Sequence, residues 1–330
     1  VRVRPSASVR PRPSVRVRWD HIKFTKNPLT HYQTLSTQWG EPSRIISKKK
    51  DFLHNSYKVQ KMVGGGSVGN SMYGIVSFGG TGSFIGKIKN DSVGQFLFKD
   101  MIKEGLNFPL GFTSANTSTG CCTLFVEEDG TRTMVTFLGA GTLIAPDDIK
   151  KENIINHKIA YLEGYLWDNH SAKEAMKKMI ALCKENQQQI AFTLSDRFCI
   201  ERHRKSFIKL IKNDVDIIFA NKDEICSIAE TTHLDQAVMY AKSLGIITII
   251  TIGEKGSLIV YNDEVIEIAA KSVANVIDVT GAGDLYAAGF LFGLAQGKSL
   301  KECGQYGTTA STEVISHYGA RPKVKLSTLI

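Results

Sequence analysis

Asp278-Val279-Thr280-Gly281-Ala282-Gly283-Asp284 leads straight into Leu285-Tyr286-Ala287-Ala288-Gly289-Phe290-Leu291. Gly281 and Gly283 allow a sharp turn and let a ligand approach the main chain without meeting a Cβ. The apolar run that follows reads as a helix. Its first N–H groups lack intrahelical partners and carry partial positive charge, which suits an anion. Asp284 stands beside that position as a base poised next to a phosphate. Turn, helix start and carboxylate together point to phosphoryl transfer. The same residues also describe an ordinary helix with Asp284 as its N-cap, and the stretch alone leaves both readings open.

Outward from this stretch the pattern is α/β. Residues 159–165, 189–194, 217–220, 246–252 and 257–261 read as strands, and 172–186, 202–212, 222–229, 233–244, 287–295 and 300–315 as helices. Residues 246–252 form a nearly continuous apolar run, as expected when helices cover both faces of a largely parallel sheet. Upstream, 59–63 and 83–88 read as strands, and 71–78 and 93–104 as helices. The alternating runs 119–126 and 131–138 flank Asp129-Gly130, a hairpin signal, and form an expected flap.

A chain of 330 residues, 42% hydrophobic and 22% charged, has the make-up of a globular protein with a sizeable core. No apolar run approaches the roughly 18–20 residues of a membrane helix, so no membrane partner is expected. The six cysteines show neither a C-x-x-C pair nor zinc-finger spacing, which suggests free thiols and a cytoplasmic location. The net charge of +9 hints at nucleic acid, but its distribution argues against that. Residues 1–50 hold seven Arg and five Lys against Asp20 and Glu41, whereas the other 280 residues carry 29 basic and 30 acidic groups.

That basic segment stands apart. Residues 1–18 are a low-complexity run of Val, Arg, Pro and Ser, interrupted by Pro5, Pro11 and Pro13. Seven of the chain's twelve arginines lie at or before Arg44. A disordered basic arm and a transit-peptide-like leader both fit the composition. The arginine usage favours sequence foreign to the folded domain, such as a shifted reading frame upstream of about residue 48. The expected division is therefore an anomalous segment 1–47 and a folded domain 48–330 with its lid hairpin at about 119–138.

Gly64-x-Gly66-x-x-Gly69 follows a strand and opens a helix, as in dinucleotide sites, with Asp91 roughly where a ribose-binding acid would stand. The chain offers no hydride-transfer constellation to go with it. A phosphate loop of the Gly-x-x-x-x-Gly-Lys-Ser/Thr kind is absent, since Gly86-Lys87 is followed by Ile88. Asn221 and Glu224, three apart at the end of a strand, could organise a hydrated Mg²⁺. They could equally form a capping box. Arg132, just past the hairpin turn, could close over a transferring phosphate or be a solvated strand arginine.

Taken together, Gly65-Gly66…Asn70, Asn221-x-x-Glu224 and Asp278-x-Thr280-Gly281-Ala282-Gly283-Asp284 resemble the PfkB (ribokinase-like) family of sugar and nucleoside kinases. The bacterial adenosine-kinase-type members are the most similar, around Gly64–Asn70, Phe137–Ala140, Tyr161–Trp167 and Thr193–Asp196. The resemblance implies a three-layer α/β/α sandwich with a mostly parallel central sheet and a small β lid. It implies ATP and Mg²⁺ as cofactors, with K⁺ near Asp278. Asp284 would be the general base, Gly281, Ala282 and Gly283 the anion hole, and Arg132 a phosphate contact. Gly65, Gly66 and Asn70 would hold ribose hydroxyls, with Phe137 and Tyr165 as candidate walls for a base. Asn221 and Glu224 would hold Mg²⁺ through water, and Asn221, Thr251, Gly253 and Gly256 would lie along ATP. The expected activity is phosphorylation of a primary hydroxyl, foremost the 5′-hydroxyl of adenosine, with ribokinase- or fructokinase-type chemistry and a non-catalytic nucleotide-binding remnant as alternatives. The expected assembly is a monomer or homodimer. One departure stands out: no strand is legible in residues 1–47.

Overall fold

The computed structural model describes residues 32–34, 61–126 and 132–330. A short strand, β1 (Tyr32–Thr34), lies in the segment where the sequence suggested none. It pairs parallel with β2 (Lys61–Met62) and antiparallel with β5 (Cys121–Val126), which in turn pairs with β6 (Arg132–Phe137). Three residues are too few to show a periodicity, so only the pairing reveals β1. The hairpin expected at 119–138 is thus half of a four-stranded sheet, ordered β2-β1-β5-β6. Its turn, with Asp129-Gly130, lies outside the described residues.

Helix α1 (Ser67–Ser77) starts directly after Gly66, four residues earlier than the sequence suggested. The strand expected at 83–88 is reduced to a single bridge at Ser83 and to β3 (Ile88–Lys89), which pairs with β4 (Phe112–Thr113). Helix α2 (Ser92–Lys103) is capped by Asp91, whose carboxylate accepts the Gly94 N–H at 2.8 Å and the Thr119 N–H at 2.9 Å. Asp91 therefore fastens a helix to the lid, which removes the acid that a dinucleotide site would need.

The central sheet has six strands in the order β12-β11-β10-β9-β8-β7. Strands β7 (Ile159–Glu163), β8 (Gln189–Thr193), β9 (Ile217–Asn221) and β10 (Ile247–Thr251) are parallel, joined through α3 (His170–Glu185), α4 (Arg197–Asp214), α5 (Lys222–Ile228) and α6 (Leu234–Leu244). Strands β11 (Ser257–Tyr261) and β12 (Glu264–Ile268) extend it antiparallel. The sequence reading passed over β12 because Glu264 and Glu267 break the apolar run, as an edge strand can tolerate. The Asn262-Asp263 turn before it, with Asn262 at φ 51°, is the signal that could have found it.

Alternation along the strands divides the core. Ile190, Phe192, Ile218 and Ile250 face α3–α6, whereas Ala191, Ile217, Phe219 and Ile249 face α7 (Ala282–Ala295) and α8 (Leu300–Val314). Leu285 through Leu291 are all buried, so α7 is apolar on every side, as a helix clamped between α1, α8 and the sheet must be. The result is the expected three-layer sandwich.

Candidate active site

Strand register delivers the site. Glu163 pairs with Thr193 across β7 and β8, and Asn221 with Thr251 across β9 and β10. All four stand at the carboxyl ends of parallel strands, where open α/β sheets bind ligands. The start of α7 meets them from the opposite layer. Gly281 is its N-cap, at φ 82°, and a Cβ there would stand 2.6 Å from the Ala320 methyl. Both the conformation and the space demand glycine. Gly283 differs: a Cβ there would meet nothing within 4 Å, so the helix start is open on the ligand side.

Asp284 does not cap its own helix. It stands at the third position, and its carboxylate reaches across to α1. Oδ1 accepts from the Ser67 hydroxyl at 2.7 Å and Oδ2 from the Asn70 amide at 2.8 Å. The Ser71 hydroxyl donates to the Asp284 carbonyl at 2.8 Å. Burial pushes the carboxyl up to about 6, while the Asn70 and Ser67 hydrogen bonds pull it down. Asn70 is buried, and its own Oδ1 has no partner among the described residues. The Ala282 N–H donates to the Val279 carbonyl at 3.2 Å and the Leu285 N–H to the Gly281 carbonyl at 2.8 Å. Of the expected anion hole, Ala282 is thus already engaged, and no described residue accepts from the Gly281, Gly283 or Asp284 N–H.

Asn221 and Glu224 form the capping box. The Glu224 N–H donates to Asn221 Oδ1 at 2.9 Å, and the Glu224 carboxylate accepts from the Asn221 N–H at 3.0 Å and its amide at 2.6 Å. The pair nevertheless lines, with Asp284, Gly283, Thr251 and Thr280, a cavity of about 260 Å³. Glu224 is pushed up to about 7 by burial, offset by the Asn221 N–H and reinforced by the charges of Asp196, Asp223 and Asp284. Glu163, which the sequence reading assigned no role, is a third buried acid. Its carboxyl is pushed to about 7 by burial, with the Val68 N–H opposing and Asp284 adding to the shift. Asp284 and Glu224 line the 260 Å³ cavity, and Glu163 lies beyond it on the larger groove, close enough for the Asp284 charge to reach it.

A second, larger groove of about 760 Å³ shares Gly66, Ser67, Tyr161 and Tyr165 with the first. Gly65, Phe84, Thr119, Leu138 and Leu166 line it, and it runs along the outer edge of β7. Tyr165 stands between the two cavities, with its hydroxyl donating to the Ser195 carbonyl at 3.1 Å. Phe137 lines neither. It is 4% exposed and packs with Met72, Tyr73 and Leu97 in the core, because successive strand residues point to opposite faces. Its neighbour Leu138 faces the groove instead.

Other expected site residues are spread more widely. Gly253 and Gly256 do not line the 260 Å³ cavity; they shape the turn after β10, where a Cβ at Gly256 would lie 2.0 Å from the Ile268 carbonyl oxygen. The Asp278 carboxylate accepts the Thr280 N–H at 2.9 Å and the Gly319 N–H at 3.0 Å, and so closes the loop that ends in Gly281. Arg132 opens β6 opposite Val126, and its side chain lies outside the described residues. Ser67 and Ser71 were missed, although they share the Asn70 face of α1 at helical spacing.

A family model for pfkB family carbohydrate kinases matches residues 45–326, and the chain belongs to that family. Its kinases use ATP. The chain is similar to an uncharacterized sugar kinase of Archaeoglobus fulgidus, at 29% identity over 72% of this chain and 93% of that protein. Among solved structures it is similar to the adenosine kinase from Sinorhizobium meliloti, at 32% identity and TM-score 0.82, covering 91% of this chain and 95% of that one. An Escherichia coli protein solved with ATP and Mg²⁺ shares the fold at TM-score 0.72 and 15% identity, with 88% and 92% covered. No helix among the described residues is long and apolar enough to cross a membrane.

Proposed function

We propose that the chain transfers the γ-phosphoryl group of ATP to a primary hydroxyl, foremost the 5′-hydroxyl of adenosine, giving AMP and ADP. The observation that carries this reading is Asp284, a carboxylate held by Ser67 and Asn70 beside the open N–H groups of Gly281 and Gly283. Asp284 takes the proton of the acceptor hydroxyl as its oxygen bonds to the γ-phosphorus and the bond to the β–γ bridging oxygen breaks. The free N–H groups stabilise charge on the transferring group. The acceptor fits the groove beside Gly65 and Gly66, and the nucleotide phosphates fit the cavity beside Thr251, Asn221 and Gly283.

The site suits Mg²⁺ in hydrated form. No group of three or more His, Cys, Asp or Glu among the described residues could hold a metal ion directly, yet Glu224 is buried at the phosphate side with its pKa raised. Asn221 and Glu224 would hold the ion through water, and the bound ion would neutralise phosphate charge. Apolar walls at Phe84, Leu138 and Leu166 support a base-bearing acceptor. The sugar-kinase relative supports a sugar acceptor as the second reading, with ribose and fructose the first to try. Initial rates with adenosine, ribose and fructose under saturating Mg-ATP test the choice. Absence of adenosine turnover removes the first reading, and ligand binding without any product would leave the non-catalytic one.

A further inference from the structure

Ala320 and Arg321 are consecutive, and each reaches one of the two glycine turns that frame Asp284. Ala320 is fully buried against Gly281. Arg321 runs toward the other turn. Its guanidinium lies over the Tyr73 ring of α1, 3.3 Å from the centroid, and bonds Asp100 of α2. Oδ2 of Asp100 also accepts from the Tyr73 hydroxyl at 3.0 Å. Nη2 passes so near the backbone of Gly64 that a Cβ there would stand 1.6 Å from it. Gly64 has no positive φ, so what a side chain at this position would have to displace is the guanidinium and its Asp100 partner. Two residues on, Gly66 caps α1, whose first turn carries Ser67 and Asn70.

We propose that Arg321 is a positioning residue for phosphoryl transfer: with Ala320 it keys the Gly64–Gly66 turn to the Gly281–Asp284 turn, and so holds Ser67 and Asn70 in register with the Asp284 carboxylate. The proposal rests on the reaction given above. Arg321 is remote from the reacting atoms in this scheme and acts through the backbone of Gly64. Among the described residues its Nε and Nη2 are buried without an acceptor, so its value here is planar shape, stacking and one ion pair rather than saturated hydrogen bonding. A lysine keeps the charge and loses the flat stack and the steric key.

The test compares Arg321→Lys and Arg321→Met with wild type. In ligand-free protein, hydrogen exchange should quicken in the first turn of α1, residues 67–71, while α4 keeps its protection. With acceptor and Mg-ATP, the acceptor KM should rise about tenfold, on the scale of small misplacements, while the KM for Mg-ATP stays within about twofold. The acid limb of kcat/KM should move to higher pH as Ser67 and Asn70 release Asp284. The other ionisable groups that face this carboxylate, Glu163 and Tyr161 on β7, Tyr165 after it and Glu224 on α5, are left in place. Gly64→Ala alone should cause the same defects by displacing the guanidinium, and Gly64→Ala/Arg321→Met should be no worse than Arg321→Met, because both substitutions remove the same contact. A lowered Tm with wild-type exchange at 67–71 and wild-type acceptor KM would make Arg321 mere scaffold and overturn the proposal. If the Arg321 variants fail to fold, Gly64→Ala decides it: wild-type exchange at 67–71 and wild-type acceptor KM in that variant would overturn the proposal. If wild type phosphorylates neither adenosine nor sugars, the reaction falls, and the exchange experiment still decides the positioning role.

Discussion

Asp284 draws its properties from residues more than two hundred positions away. Burial raises its pKa to about 6, so it is mostly ionised at neutral pH yet basic enough to accept a hydroxyl proton. Asp284→Asn should lower kcat by about 10²–10⁴-fold while ATP affinity, measured by calorimetry, stays near wild type. The pH profile of kcat/KM should fall on the acid side with a midpoint near 6, and Asn70→Ala should move that limb upward because the lost hydrogen bond favoured the charged form. Asp284, Asn221 and Glu224 were legible in the sequence because each belongs to a short motif at fixed spacing. Ser67 and Glu163 were not, since helical spacing from Asn70 is a weak mark of Ser67 until the helix start is known and nothing local marks Glu163. Ser67 becomes a site residue only when α1 is laid against α7, and Glu163 only when β7 ends beside both.

At the scale of elements, the start of α7 separates two roles for glycine. Gly281 is fixed from within, by its left-handed backbone and the Ala320 methyl. Gly283 is open within the protein, and in the proposed reaction the transferring phosphate is what would meet a side chain there. Gly281→Ala should therefore lower Tm, with a cost of about 1–3 kcal/mol for the strained conformation and more for the collision. Gly283→Ala should leave Tm near wild type and lose phosphoryl transfer through obstruction of the phosphate. Equal effects of the two substitutions on Tm would contradict this division. Most helices and sheet strands were legible from apolar periodicity and turn residues. Helix α1, which Gly66 caps with backbone alone, was misplaced at its start by four residues, and α4 by five even though Asp196 caps it.

Across the whole molecule, the buried acids link stability to pH. Asp284, Glu163 and Glu224 all have pKa values raised above their ordinary range, to about 6, 7 and 7. The folded form thus binds protons more tightly than the unfolded chain. Their stabilising contribution is complete below about pH 4 and is lost as pH rises through 6 to 7. Tm measured without nucleotide should carry a falling component between pH 5 and 8, and Glu163→Gln/Glu224→Gln should flatten it. Residues 1–47 pose a different question, and the proposal of a shifted frame has a direct check. Translating the DNA upstream of codon 48 in the other two frames should yield an apolar strand-forming run, and its absence from both would refute the idea.

The central sheet ends at β7, and among the described residues nothing pairs with its outer edge. That edge, Ile159-Ala160-Tyr161-Leu162-Glu163, is a row of backbone donors and acceptors flanked by a long apolar groove. Such a row is a template for any extended chain, including one from another copy of the molecule. Strand addition between copies would make light scattering grow faster than linearly with concentration, and strictly linear growth would mean that this edge is covered in solution.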